Sequence, residues 1–452
     1  EGEYVVSSNV IIPQGINLVI DPGVILKFEQ DKVALVRGQV TAIGSINNKI
    51  IFTSNQSSPQ PGDWKYIDFS DNTVDASYDV NGNYSSGTIL KYVDVLYGGF
   101  SEYGAVNLTN SAIHMENVTV NYSANNGIRF DKGTGGTIPV SKIINSNISN
   151  NNSAGVYCDC YQYNISIAVS NSEINNNSGN GISTGGGDSG GSHNFTFTNN
   201  IISNNSGNGI SANANGTQTI SGNIINNNSS NGVRSRGNGI YTINDNIITN
   251  NGLVGIHGIY ATHIINNNVI ASNGGGIEIS QGGNYTITDN QIISNNNSND
   301  GSGFDSHGGT SQSEWSSPVT IKRNIFTNNT STNATILSFS PENGNPDFIF
   351  NENNIFDNNS IYEIKNYRST SVSDLNAENN FWGTTSSSDI EAKIFDFNDN
   401  SELGTVTFTP YLQNPNLNAP ISPPQNVTIS ASPVGIKLSW DANPEGDIAG
   451  YK

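Results

Sequence analysis

An Asn-Ile-Ile phrase, followed a few residues later by Asn-Gly, recurs down the middle of this chain at a nearly fixed step. It begins at Asn200, Asn223 and Asn246, then at Asn268 as Asn-Val-Ile and at Gln291 as Gln-Ile-Ile. The step is about 22 to 23 residues and stretches only where Gly/Ser-rich insertions intervene. A unit this short cannot bury its own hydrophobic face, so successive copies must stack and share one core. An ordinary globular domain is excluded; a solenoid is required.

The repeat overrides the two or three domains that 452 residues alone would suggest. Only 12% of residues are charged, and the net charge is −20 with 18 Lys+Arg. Phosphate binding needs dense cationic charge, so nucleic acid and anionic membrane are poor partners. Cations, or neutral and cationic glycans, suit such a surface better. No run of about 18 apolar residues exists, so no membrane-spanning helix is expected. The start at Glu1 fits either a removed signal peptide or a truncation. Cys158 and Cys160 stand two apart, on the same side of an extended strand. A bridge there is strained, so two buried free thiols are expected.

The copy from Gln218 to Ala261 shows the rung. Thr219–Ser221 reads as one strand, Asn223 as a corner, Ile224–Asn226 as a second strand and Val233–Arg236 as a third. Gly237-Asn238-Gly239 leads into the next rung. Three short β-branched strands per repeat, parted by Asn/Gly turns, describe an all-β parallel β-helix. An α-solenoid fails because no repeat holds a helix-length amphipathic run. Asn tolerates the left-handed backbone of a tight corner, and stacked amides can bond in a ladder. Asn117, Asn147, Asn200, Asn223, Asn246, Asn268, Asn324, Asn354 and Asn380 are the expected ladder, with Glu173 and Gln291 in two slots.

Residues 1–85 read as N-terminal capping rungs, shorter than the rest, and 86–412 as the β-helix with a C-terminal cap. Ser388-Asp389-Ile390-Glu391 has a capping-box pattern, and Ile390, Ile394 and Phe397 suit one short helix. A last strand is expected over Thr405 to Leu412. Residues 413–424 hold Pro420, Pro423 and Pro424 and read as a linker. From 425 to 452, the Val427-Thr-Ile-Ser run, Ile436-Lys-Leu-Ser-Trp440 and Gly450-Tyr451 resemble the opening strands of a fibronectin type III domain. That stretch is too short to form such a sandwich alone.

In the strand after each Asn-Gly turn the first Ile or Val faces the core, and alternation turns the next residue and the one two further outward. Those outward pairs are Arg129/Asp131, Tyr157/Asp159, Ser183/Gly185, Ser211/Asn213, Arg234/Arg236, His257/Ile259, Glu278/Ser280 and Asp305/His307. Scarce Arg and His therefore gather on one strip. Gly185 to His193 and Gly308 to Pro318 are expected to wall it. Uronate chemistry needs a cation for the carboxylate and a base near the carbon proton. Arg234 is placed for the first task and His257, Asp305 or His307 for the second. Arg129, Tyr157, Arg236 and Glu278 are expected substrate contacts. Asp131 and Asp159, one rung apart, would repel unless a cation bridges them, which makes calcium the one cofactor to consider.

From Val5 to Leu412 the pattern resembles the right-handed parallel β-helix family of pectate lyases and related carbohydrate proteins, which implies a sugar chain lying over this strip. The Arg-x-Pro-x-x-Arg of pectate lyases is missing, as are the paired aspartates and His-Gly of polygalacturonases. Gly303-Phe304-Asp305-Ser306-His307 is similar to the Tyr-Gly-Phe-Asp-Pro-His phrase of mannuronan C-5-epimerases, where Asp and His serve proton transfer. Here Ser302 stands for Tyr and Ser306 for Pro. Two main readings result: a secreted or cell-surface spacer or adhesin that contacts polysaccharide, or a secreted polysaccharide lyase or epimerase. Self-assembly into a homo-oligomer or filament through strand edges is a third.

Overall fold

The computed structural model describes residues 2–131, 137–159, 164–185, 191–298, 300–307, 318–338, 347–370, 374–422, 424–432 and 435–441. They form a parallel β-helix in two compact units, Glu1–Thr262 and His263–Lys452. Each turn carries three strands, and each strand pairs in parallel with its counterpart one turn on.

In the first unit the second strand of the turn recurs ten times, from Gly2–Val6 to Ile247–Thr249; in the second unit it recurs four times, from Val269–Ala271 to Asn354–Phe356. Register places like on like: Ile148 opposes Ile174, then come Ile202, Ile225 and Ile248, all fully buried. Ile270, Ile292, Phe326 and Ile355 repeat the arrangement in the second unit. Burying each such side chain contributes about 1.5–3 kcal/mol.

Glycine of the Asn-Gly phrase serves close packing. A Cβ on Gly155 would stand 2.7 Å from Ile174 Cγ2 and 2.8 Å from the Gly181 carbonyl. Only a residue without a side chain lets the third strand begin there. Past Gly237, at φ +117°, the third strand and the next first strand run on together as Val233–Asn244.

Asparagine ladders are present, at a register one residue away from the expected one in several rungs. The first row runs Asn200, Asn223, Asn246 in one unit, and Asn268, Asn290, Asn324, Asn353, Asn380 in the other. Asn290 and Asn353, not Gln291 and Asn354, occupy it. Ser146 and Ser172, not Asn147 and Glu173, continue it towards the N-terminus, and Val118 stands where Asn117 was expected. The cause is a division of labour. The left-handed residue, such as Asn199 (φ 56°) or Asp289 (φ 59°), precedes the buried amide, so corner and ladder are adjacent positions. A second row went unrecognised: Asn151, Asn177, Asn205, Asn228 and Asn251, with Asn273, Asn295, Asn329 and Asn358 in the second unit. From Asn147–Ser149 onwards the two rows flank each second strand, five residues apart.

The first turns are full length rather than short, since Gly2 pairs with Val24 and Ile25 with Ile51. At the other end the helix is a single turn, Ser387–Glu391, capped by Ser386 rather than Ser388. It ends before Ile394, which starts a strand, and Phe397 is exposed. Val406–Thr407 is the last parallel strand. Gln425–Ser432 and Gly435–Asp441 pair as an antiparallel hairpin; the Gly450-Tyr451 phrase lies outside the described residues. Cys158 is buried and disulfide-bonded, against the expectation of a free thiol. The only other cysteine in the sequence, Cys160, lies outside the described residues. No helix among the described residues is long and apolar enough to cross a membrane.

Candidate functional site

Inward Ile67, Val106, Ile128, Val156, Ile182, Ile210 and Val233 anchor the third strands of the first unit. Alternation then fixes an outward column of Asp68, Asn107, Arg129, Tyr157, Ser183, Ser211 and Arg234, each the register partner of the next. Asp159 pairs with Gly185, and Asn213 with Arg236, in the column beside it. The stacking that the outward pairs require is present from Arg129 to Arg234.

Its chemistry concentrates at Arg129. That side chain is 8% exposed and lies between two rings, 5.8 Å from the Tyr103 centroid and 5.5 Å from that of Tyr157. Nη1 donates to the Glu102 carbonyl at 2.6 Å, and Nη2 stands 3.4 Å from Asp131 Oδ1 and 3.5 Å from Asp159 Oδ2. The cation between these two carboxylates is thus a guanidinium, at the place where calcium was considered. Among the described residues no group of three or more His, Cys, Asp and Glu side chains is placed to hold a metal ion.

Asp68, two column positions from Arg129 with Asn107 between them, receives Thr109 Oγ1 at 3.3 Å. Burial raises its carboxyl above the ordinary value, Thr109 works against that rise, and the charge of Asp131 adds to it. Tyr66 packs on Tyr103 with centroids 4.9 Å apart. Its phenol is raised by burial, then by Tyr103 and Asp68. Tyr66, Asp68 and Tyr103 were not singled out in the sequence, because they precede the regular repeat. Further along, Arg236 lies 5.9 Å from the Tyr260 centroid. Arg234 and His257 are half-buried, and Ile259, expected outside, is 5% exposed.

In the second unit Glu278 opposes Asp305, and Ser280 opposes His307. Glu278 is half-buried. Asp305 was expected at the surface but is 3% exposed. The side chain of His307 and the walls at 186–190 and 308–317 lie outside the described residues. The column goes on from Asp305 to Leu337, Lys365 and Phe395. Lys365 is a feature the repeat gave no signal for. Its Nζ lies 5.8, 4.8 and 4.9 Å from the rings of Tyr362, Tyr367 and Phe395, and donates to Asn333 Oδ1 at 3.0 Å.

Residues 208–382 match the family described as "Right handed beta helix region". The right-handed parallel β-helix expected from the sequence is the fold of this chain. No curated protein matches it by sequence. Among solved structures it is similar to the A-module of a mannuronan C-5 epimerase from Azotobacter vinelandii, at 12% identity over 79% of this chain and 84% of that one, with a TM-score of 0.36. A double mutant of a periplasmic alginate epimerase gives 15% identity over 61% and 75%, with a TM-score of 0.36. Pectate lyase Pel9A gives 11% identity over 77% and 80%, with a TM-score of 0.34. Likeness this loose decides nothing about chemistry.

Proposed function

We propose that this chain is an extracellular or cell-surface β-helix protein, a spacer or adhesin, that holds uronate-containing polysaccharide along the outward columns of its third strands. One observation carries the reading. In each unit a cation on that column is set among aromatic rings: Arg129 with Tyr103 and Tyr157, Lys365 with Tyr362, Tyr367 and Phe395. The rings offer a sugar a face to lie on, and half-buried Lys365 offers its carboxylate a charge to meet, while Arg129, held by Asp131 and Asp159, fixes the Tyr157 ring in place.

Alginate and polygalacturonate are expected to retard the protein in affinity gels, less so as salt screens the cations. Lys365→Ala and Tyr157→Ala should each weaken retention about tenfold, the effect of losing about 1.4 kcal/mol of contact. Retention by neither polymer, or a double variant that runs like the wild type, would remove the proposal.

A lyase or epimerase is the second reading, favoured by Glu278 and Asp305 on adjoining strands with Asp305 buried. Paired carboxylates at about the 4.8 Å strand spacing are an arrangement suited to acid–base work at a sugar carbon. Incubation with alginate and pectate should then give absorbance from unsaturated ends, or proton exchange at C5 by NMR. Either signal should vanish in Asp305→Asn. Activity that outlasts that change would show that the carboxylate pair does not carry the chemistry.

A further inference from the structure

A groove of about 390 Å³ lies in the first unit at the corner between first and second strands. In a three-sided turn that corner is opposite the third strand, so the groove faces away from the Arg129 column. Two rows of side chains line it along the stacking direction. One is the left-handed corner row of Tyr92, Asn117, Asn145 and Asn171, with φ between 51° and 55°. The other is Thr119, Asn147 and Glu173, register partners in turn.

The corner amides differ from the ladder amides one position on. A ladder asparagine such as Asn223 spends its amide donors and its carbonyl oxygen on partners inside the wall. Asn145 and Asn171 are exposed, and their side chains bond to no protein group among the described residues. Asn147 is held by its neighbours, Nδ2 donating to Glu173 Oε2 at 3.4 Å and Oδ1 accepting from Ser149 Oγ at 2.6 Å, and Asn117 Nδ2 donates to Glu116 Oε1 at 3.4 Å. The tyrosine ring of Tyr92 lies at one end beside Ile46, itself 75% exposed. Lys49 is bound to Asp94 at 2.8 Å, so Glu173, the one carboxylate among the lining residues, leaves the groove with a surplus negative charge that disfavours an acidic chain. Four corners span three strand spacings, roughly 14 Å, the reach of a short oligosaccharide. Two open amides on adjoining turns, a hydroxyl, an aromatic ring and a surplus negative charge suit a hydroxyl-rich chain without carboxylates.

We infer that this groove binds a neutral polysaccharide, so that the first unit can hold two glycan chains at once, a neutral one here and an acidic one on the opposite side. The groove stands on its own observations; the cross-bridging half rests on the uronan reading above.

Titration of the full chain with cellohexaose, xylohexaose and mannohexaose by calorimetry tests it. At least one should bind at one site per chain. Tyr92→Asn and the double change Asn145→Gly/Asn171→Gly remove ring and amides while keeping residues that accept the left-handed corner. Each should weaken binding about tenfold, whereas Tyr157→Ala should weaken alginate retention and leave the hexasaccharide alone. Absence of binding by all three at millimolar concentration, or binding that survives both groove changes, overturns the inference. Hexasaccharide binding without alginate retention would remove the uronan reading and leave the groove intact.

Discussion

Asn223→Ala is expected to lower the stability of the first unit by roughly 3–5 kcal/mol, the cost of stranding several buried polar groups at about 1–3 kcal/mol each. The Asn223 side chain is fully buried and takes part in four hydrogen bonds. Nδ2 donates to the Phe197 carbonyl at 2.8 Å and to Asn246 Oδ1 at 2.9 Å, while Oδ1 accepts from the Asn200 backbone N–H at 2.9 Å and from Asn200 Nδ2 at 3.0 Å. Alanine leaves all four partners facing a small void that cannot offer a replacement. Asn227, four residues on, is exposed and left-handed at φ 54°. Asn227→Gly should stay within about 1 kcal/mol of wild type, since relief of the left-handed strain offsets the added freedom of the unfolded chain. Urea titrations followed by far-ultraviolet circular dichroism separate the two. Equal midpoints for both variants would show that the ladder is not what holds the corner.

Stability in the second unit should depend on pH through Glu363. Its side chain is buried beneath the C-terminal cap, and burial pushes the carboxyl from 4.5 up to about 7, against the hydrogen bonds from Thr335 and Asn358 and the charge of Lys393, with Asp357 adding slightly to the rise. Asn358 Nδ2 donates to Oε2 at 3.1 Å. The folded form therefore holds a proton that the unfolded form has released anywhere between these two values. Its contribution is complete below about pH 4.5 and is lost as pH rises through about 7, amounting to about 3 kcal/mol over the interval. Glu363→Gln should remove that slope and leave the variant more stable than wild type at pH 8 by a similar amount. Thermal or urea midpoints of the two proteins across pH 4 to 9 provide the comparison. Parallel curves would mean that Glu363 is charged in the native state throughout.

The outward columns were legible because strand alternation is a rule of period two: once Ile128 and Val156 are inside, Arg129 and Tyr157 must be neighbours outside. The ladder was legible as chemistry and misplaced as position. Asn-Asn and Asn-Ser pairs at each corner give no local hint of which residue bends the chain and which turns inward; the five-residue interval from Asn223 to Asn228, or from Asn324 to Asn329, does. Burial of Asp305 was not legible, since alternation tells which way a side chain points and not what covers it. Lys365 and its rings escaped notice because Tyr362, Tyr367 and Phe395 sit in turns that lack the Asn-Gly phrase. Cys158 shows that spacing in the sequence does not by itself decide whether a thiol stays free.

Successive amides of the first row in the second unit are separated by 22, 34, 29 and 27 residues, yet they meet at 2.9, 2.9, 3.1 and 3.0 Å. The wall therefore does not register how much chain is paid out between one amide and the next. Natural variation can lengthen, shorten or exchange the segments bordering the third strands while the axis keeps its pitch. A lineage built on this plan can change the surface it presents without having to learn again how to fold.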